Sequence, residues 1–304
     1  MLNKCCISIN ARCNLACKYC HFYENSALDM ADTKAMSSHK LHTILSHILC
    51  FAREQNKPFT IGFAGGGEPL LDWKMLKQNI ESIRKSDTQN LLSFYIITNG
   101  MLITKVFLEE YKPLYPFVKL VISLDGDATT HDTFRIQKNK SGTHAQIMSN
   151  IGLYKECCHS MPAINISVSK LSLDRRNEIL KFLHDFDFCE LSFTRLFHCE
   201  DKTMEISQKE FLDFIESFVS DKFTIRNITA KEQKKCDCAM YGYMCGVGYN
   251  NIFYFNDKVF PCKRFVENPK AHIGLYDSSL SDIKHTMQNL QKPREEGKCY
   301  YELY

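Results

Sequence analysis

The chain has 304 residues, 44% of them hydrophobic and 24% charged, with a formal net charge of +3. That is the composition of a soluble globular protein; the charge is too small to argue for nucleic acid or a membrane surface, and no apolar run approaches the ~20 residues that span a bilayer. No signal segment opens the chain, so a cytoplasmic protein is expected, and there fifteen cysteines point to metal binding or redox chemistry rather than a disulfide framework.

Strand-like and helix-like segments alternate over the first two-thirds. Cys5–Asn10 reads as a strand. Leu41, Ile44, Leu45, Ile48, Leu49 and Ala52 keep helical spacing, with Ser37 or Ser38 as N-cap. Phe59–Phe63 is a predicted strand ending in Gly65-Gly66-Gly67, and Trp73–Lys85 a predicted helix. Leu91–Thr98 is a strand stopped by Asn99-Gly100, and Lys105–Tyr111 a short helix before Pro113. Leu120–Leu124 is a strand ending at Asp125-Gly126. Then come helix Thr143–Cys158, strand Ile164–Val168, helix Arg175–Phe186, strand Leu191–Leu196 and helix Glu210–Val219. This alternation predicts right-handed βαβ units around a parallel sheet. Six units fit an open or partial barrel, a (β/α)6 relative of the TIM barrel, better than a closed eight-fold one. Chemistry in parallel barrels gathers at the C-terminal strand ends. The composition changes near residue 222, so the expected division is a barrel over 1–221 and a small cysteine-rich unit over 222–304.

Four segments fall at predicted strand ends. Cys13, Cys17 and Cys20 have the spacing C-x3-C-x2-C. Zinc sites more often come as paired C-x2-C units with four ligands. Three thiolates are one short of the four that a [4Fe–4S] cluster takes, which leaves one iron open for another ligand. The second segment is Gly65-Gly66-Gly67-Glu68-Pro69-Leu70, where glycines admit close backbone approach. The third, Thr98-Asn99-Gly100, is by itself a turn signal. The fourth is Ser123-Leu124-Asp125-Gly126, followed by His131-Asp132 and Arg135, a serine and a forked cation suited to a carboxylate. The cysteines at 5, 6, 50, 157, 158 and 189 are expected to be small buried hydrophobes, and Cys199 has no assignment.

These motifs resemble those of the radical S-adenosylmethionine (SAM) enzymes, in the subgroup with SPASM or twitch extensions. The resemblance implies that Cys13, Cys17 and Cys20 hold a [4Fe–4S] cluster whose free iron chelates SAM, with Tyr19 beside it. One electron then cleaves a C–S bond, and the 5′-deoxyadenosyl radical abstracts a substrate hydrogen. It further implies that Gly66, Gly67 and Glu68 receive the methionyl ammonium and that Ser123 and Arg135 contact SAM. His131 and Asp132 are expected to order their loop, and Asp125 is a candidate for holding substrate.

Cys245-Gly246-Val247-Gly248, a short hairpin, Pro261-Cys262 and Ile273-Gly274 resemble the front half of a SPASM domain, with Leu275 where Asn is usual. Cys245, Cys262 and Cys299 would hold an auxiliary iron–sulfur cluster. Cys236 or Cys238 would be its fourth ligand, or a free thiol returning a hydrogen atom to a substrate radical. The later cysteines of a full SPASM domain are missing. A shortened, twitch-like version with one auxiliary cluster is preferred over a truncated sequence. No precursor-binding domain fits ahead of the first strand. The resemblance implies a ribosomally made peptide or protein as substrate, bound directly or through a separate recognition protein, with electrons from a flavodoxin or ferredoxin. Expected outcomes are crosslinking, epimerisation or oxidation. The rivals are formylglycine formation as in anaerobic sulfatase maturases, a twitch-type small-molecule dehydrogenase, and a non-catalytic iron–sulfur protein; retention of Glu68, Ser123 and Arg135 argues against the last.

Overall fold

A computed structural model describes residues 2–20, 22, 35–196, 199–225, 250–289 and 301. Helix α1 (Ser38–Gln55) shows how sequence becomes structure here. Ser37 caps it by accepting from the Lys40 amide, Asn56 ends it in the left-handed region (φ 49°), and its apolar stripe is fully buried. The cap contributes about 1 kcal/mol, while each buried Leu or Ile contributes about 1.5–3 kcal/mol, so packing decides that this segment is helical.

The parallel strands follow in chain order: β1 (Lys4–Ile7), β2 (Phe59–Phe63), β3 (Leu92–Thr98), β4 (Val118–Ser123), β5 (Ala163–Val168) and β6 (Glu190–Arg195). Between them run α1, α2 (Trp73–Ser86), α3 (Lys105–Tyr111), α4 (Ala128–Phe134), α5 (His144–Cys158), α6 (Lys170–Asp174) and α7 (Arg176–Asp185). Helix α8 (Gln208–Glu216) and strand β7 (Thr224–Ile225) complete this part. The sheet does not close. Its order runs β10-β9-β8-β1-β2-β3-β4-β5-β6-β7, the open (β/α)6 arrangement that the sequence predicts.

The segment assigned to a C-terminal unit contributes β8 (Asn251–Phe255), β9 (Lys258–Phe260), β10 (Gly274–Leu275) and α9 (Leu280–Asn289). Strand β8 pairs in parallel with β1, Lys4 opposite Asn251 and Ile7 opposite Tyr254. The sheet is thus continuous from β7 to β10. Phe22, Phe253, Phe255, Phe260, Phe265 and Val266 form a second, small core there, with Cys6, Cys20 and Cys262 packed against it.

Three differences from the sequence reading have physical causes. The predicted strand Cys5–Asn10 ends at Ile7, because Asn10 turns away to bind the glycine turn described below. Helix α4 has the polar sequence ATTHDTF, which carries no apolar period. The predicted helix Arg175–Phe186 is present as Arg176–Asp185, and a short helix that the sequence reading lacks, Lys170–Asp174, precedes it. Ser169 and Ser172 form a capping box that starts α6 early, and Arg175 leaves helical geometry between them while pairing with Asp127 at 2.9 Å. Among the cysteines expected to be buried, Cys5 is, but Cys50 and Cys189 are exposed and Cys6 is only half-buried. Among the described residues no helix is long and apolar enough to cross a membrane.

Candidate active site

The segment leaving β1 carries the cysteine triad over the C-terminal ends of β1 to β4. Two elements fasten it. On one side Leu15 bridges Gln137, and the amides of Ala16 and Lys18 donate to Ile136 O and Phe134 O at 2.9 Å each. On the other, the amides of Gly67 and Glu68 donate to Asn10 O and Arg12 O, both at 2.8 Å. Asp72 receives Asn10 Nδ2 at 2.6 Å and pairs with Arg12 at 3.0 Å.

This second contact explains the glycines. Gly66 has φ +77°, and a Cβ on it would lie 2.1 Å from Ser8 Oγ. A Cβ on Gly67 would lie 2.0 Å from Asn10 Oδ1 and 2.1 Å from Arg12 O. The turn and the cysteine segment are therefore interlocked, and the glycine faces are turned toward the chain's own backbone. Gly67→Ala is expected to destabilise the protein by about 1–3 kcal/mol, because the backbone oxygen of Arg12 cannot step aside as a flexible side chain would. Thermal unfolding measures this, and an unshifted melting temperature would contradict it.

Cys13, Cys17 and Cys20 are half-buried and unbridged. Burial pushes up the thiols of Cys13 and Cys17, the latter to about 12, and the neighbouring cysteines add to the shift. The three thiols thus lie near enough to act on one another electrostatically. Among the described residues, no three His, Cys, Asp or Glu side chains converge on one point as ligands of a single ion must. Thiolates bound to different irons of one cluster need no such convergence. A cationic cluster is also what converts raised thiols to thiolates, so the triad fits a [4Fe–4S] group. Asn99 was the member sequence reasoning left without a role. Its amide nitrogen donates to Asn14 Oδ1 at 2.8 Å and approaches Cys13 Sγ at 3.8 Å; the Leu15 amide reaches the same sulfur at 3.4 Å.

Glu68 is 2% exposed. Its carboxylate accepts from the Leu70 amide (3.0 Å), the Thr98 hydroxyl (2.7 Å) and the Asn99 amide (2.8 Å). Burial raises its pKa against these bonds. It has no ion-pair partner among the described residues. A carboxylate has about four acceptor positions, so one remains for a donor, and a cation there would offset the burial cost.

Ser123, at the end of β4, and Arg135, after α4, are both buried. Arg135 Nε binds Asp125 Oδ2 at 2.9 Å, and its guanidinium lies 5.4 Å from the Tyr19 ring centroid. The Tyr19 hydroxyl donates to the same Asp125 oxygen, while the Ser167 amide donates to Oδ1 at 2.8 Å. Both oxygens of Asp125 are thus engaged by protein, and it braces Tyr19 and Arg135. Asp125 drives the Arg135 pKa upward despite burial, so the cation is permanent.

His131 locks the loop. The Asp125 amide donates to Nδ1 at 3.1 Å, which puts the ring proton on Nε2 facing the Thr143 hydroxyl at 2.9 Å. That hydroxyl donates onward to Arg135 O at 2.8 Å. Burial lowers the His131 pKa to about 4, so the ring is neutral. Asp132 Oδ1 accepts from the Thr143 and His144 amides at the start of α5. Both residues order the loop, as the sequence suggests. Cys262 follows β9 and is half-buried. Cys236, Cys238, Cys245 and Cys299 lie outside the described residues.

The sequence profile of the radical SAM superfamily matches residues 7–183. The cysteine-type anaerobic sulfatase-maturating enzyme of Clostridium novyi is 29% identical over 188 residues, covering 60% of this chain and 48% of that protein. The serine-type enzyme of Bacteroides thetaiotaomicron is 23% identical over 312 residues, 91% of this chain and 73% of that one. This chain therefore spans about half the length of the first of these relatives and about three-quarters of the second. Among solved structures, anSMEcpe with bound AdoMet and the Cp18Cys peptide superposes with a TM-score of 0.74 at 19% identity, over 94% of this chain and 82% of that one. SuiB of Streptococcus suis bound to S-adenosylmethionine gives 0.65 at 17%, over 93% and 65%. These structural likenesses are likenesses of fold.

Proposed function

This chain belongs to the radical SAM superfamily, and from that premise we propose that it is a radical SAM enzyme that modifies a peptide or protein. One observation carries the reading. The cysteine triad, the buried Glu68 and the braced Arg135 are drawn to one end of the sheet by direct hydrogen bonds between their loops. An electron carrier has no use for a buried carboxylate with a free acceptor position beside a cysteine triad.

Cys13, Cys17 and Cys20 would hold the [4Fe–4S] cluster, whose fourth iron SAM would chelate. When bound, cluster and SAM together supply one-electron cleavage of a C–S bond and, through it, hydrogen-atom abstraction. Glu68 offers the methionyl ammonium its remaining acceptor position. Ser123 and Arg135 receive the carboxylate, and Asp125 and Tyr19 hold Arg135 in place. Gly66 and Gly67 shape the turn that presents Glu68. Cys262 would join Cys245 and Cys299, with Cys236 or Cys238, around an auxiliary cluster. A small flavoprotein or ferredoxin would supply electrons.

Formylglycine formation on a Cys or Ser is the second reading, favoured by the activity named for both sulfatase-maturating relatives. Anaerobic incubation of the cluster-loaded chain with SAM and dithionite is expected to yield 5′-deoxyadenosine, and none from a fully loaded protein would end the proposal. Mass spectrometry of Cys- and Ser-containing peptides in deuterated water separates the outcomes. An aldehyde trapped by a hydrazine marks formylglycine, loss of two hydrogens without an aldehyde marks a crosslink, and deuterium at one Cα marks epimerisation.

A further inference from the structure

Beneath the loops, the open barrel encloses a cavity of about 590 Å³. Its walls follow from strand register. Cys6, Gly62 and Tyr95 are opposite one another across β1, β2 and β3. A Cβ on Gly62 would lie 2.1 Å from the Tyr95 ring, so this glycine makes room for the ring, whose hydroxyl meets Cys6 Sγ at 2.9 Å. Asn165, Ser192 and Thr194 line the β5–β6 side, and the hydroxyls of Ser192 and Thr194 both donate to Asn165 Oδ1. The wall is thus mixed, with Ile97, Val121 and Phe253 among polar groups that are largely self-satisfied.

Its charges are of one sign. Among the described residues, Lys4 and Lys263 line the cavity and no Asp or Glu does. Lys4 Nζ lies 5.8 Å from the Tyr95 ring centroid. Lys263 is exposed and lines the same cavity. Lysines on open surfaces need no partner; a lysine on a concave, acid-free wall concentrates its field inside it. The cavity also presents Asn250 Oδ1, a buried acceptor without a hydrogen-bond donor among the described residues, and an amide N–H would satisfy it.

We propose that this lumen receives a carboxylate-bearing part of the peptide substrate, with Lys263 as its principal counter-ion and Lys4 as a second source of positive charge. The proposal rests on the peptide-modifying reading above and adds its specificity. A carboxylate can come from an Asp or Glu side chain or from a peptide C-terminus, and the test separates them. N-acetylglutamate α-amide carries only the side-chain acid, N-acetylglycine only the terminal one, and N-acetylglutamine amide neither. Each is titrated by ligand-observed NMR into the full chain loaded with cluster and SAM. One carboxylate probe is expected to bind at least about tenfold more tightly than the neutral amide. Lys263→Met is expected to remove most of that preference, Lys263→Arg to retain it, and Lys4→Met to reduce it less. Equal binding of the neutral amide, an unchanged preference in Lys263→Met, or binding of none of the probes overturns the proposal. Failure to make 5′-deoxyadenosine would instead sink the enzymatic reading, whatever the probes show.

Discussion

Alanine at Cys13, Cys17 or Cys20 is expected to abolish 5′-deoxyadenosine formation while leaving the fold intact. Each side chain is half-buried, so truncating one removes little packing, on the order of 1 kcal/mol. The segment is held instead by backbone bonds to Phe134, Ile136, Gly67 and Glu68, which the substitutions do not touch. The chemistry has no such reserve, because each thiolate would hold one iron and the site offers three. Anaerobically reconstituted variants should lose about four irons per chain and the corresponding absorbance, with an unchanged circular dichroism spectrum. Iron that remains would belong to the auxiliary site. Cys50→Ala, on the exposed face of α1, is the control expected to behave as wild type. A triad variant that still cleaves SAM would remove the foundation of the functional reading.

Asp125→Ala is expected to have the largest effect on stability. It removes the partner of a buried arginine whose side chain is 10% exposed, and it strands the Tyr19 hydroxyl and the Ser167 amide. Breaking one half of a buried ion pair costs about 3–5 kcal/mol, so the melting temperature should fall by roughly 10 °C. The cost comes from the unpaired guanidinium, not from the lost attraction alone. The pair of substitutions Asp125→Leu and Arg135→Met should therefore recover part of the stability lost in Asp125→Ala, while recovering no binding of SAM. Calorimetry on the three proteins decides it. An unshifted single variant, or a double variant less stable than the single one, would show that the brace is unimportant.

Much of this was legible in the sequence where the signal is local. Strand Phe59–Phe63 and helix Lys105–Tyr111 lie at their predicted bounds, because β-branched and aromatic runs or an apolar period meet clear stops there. The motifs too are local, so the triad stands out by its spacing, and Glu68, Ser123 and Arg135 by the family resemblance of the segments that carry them. What stayed hidden is long-range partnership. Nothing near Asn99 announces that it reaches Asn14, and nothing near Asp125 reveals Ser167 as a donor. Asp125 read as an acid facing a site; in the structure its two oxygens hold Tyr19, Arg135 and the Ser167 amide, so it is also a brace. The β1–β8 pairing has no local signature either, since parallel neighbours need no turn between them.

That pairing also sets an order of events during synthesis. Strand β1 leaves the ribosome together with the cysteine segment and soon finds β2, but its other neighbour, Asn251–Phe255, is made almost a whole chain later. Contacts so distant in sequence form late, because the loop between them must close before they give anything back. Until then β1 is an edge strand, with one row of backbone groups unpaired. Of the triad, Cys20 packs against the small core that β8 and β9 complete, so docking of β8 is the step that covers it and turns this flank into the interior of a sheet.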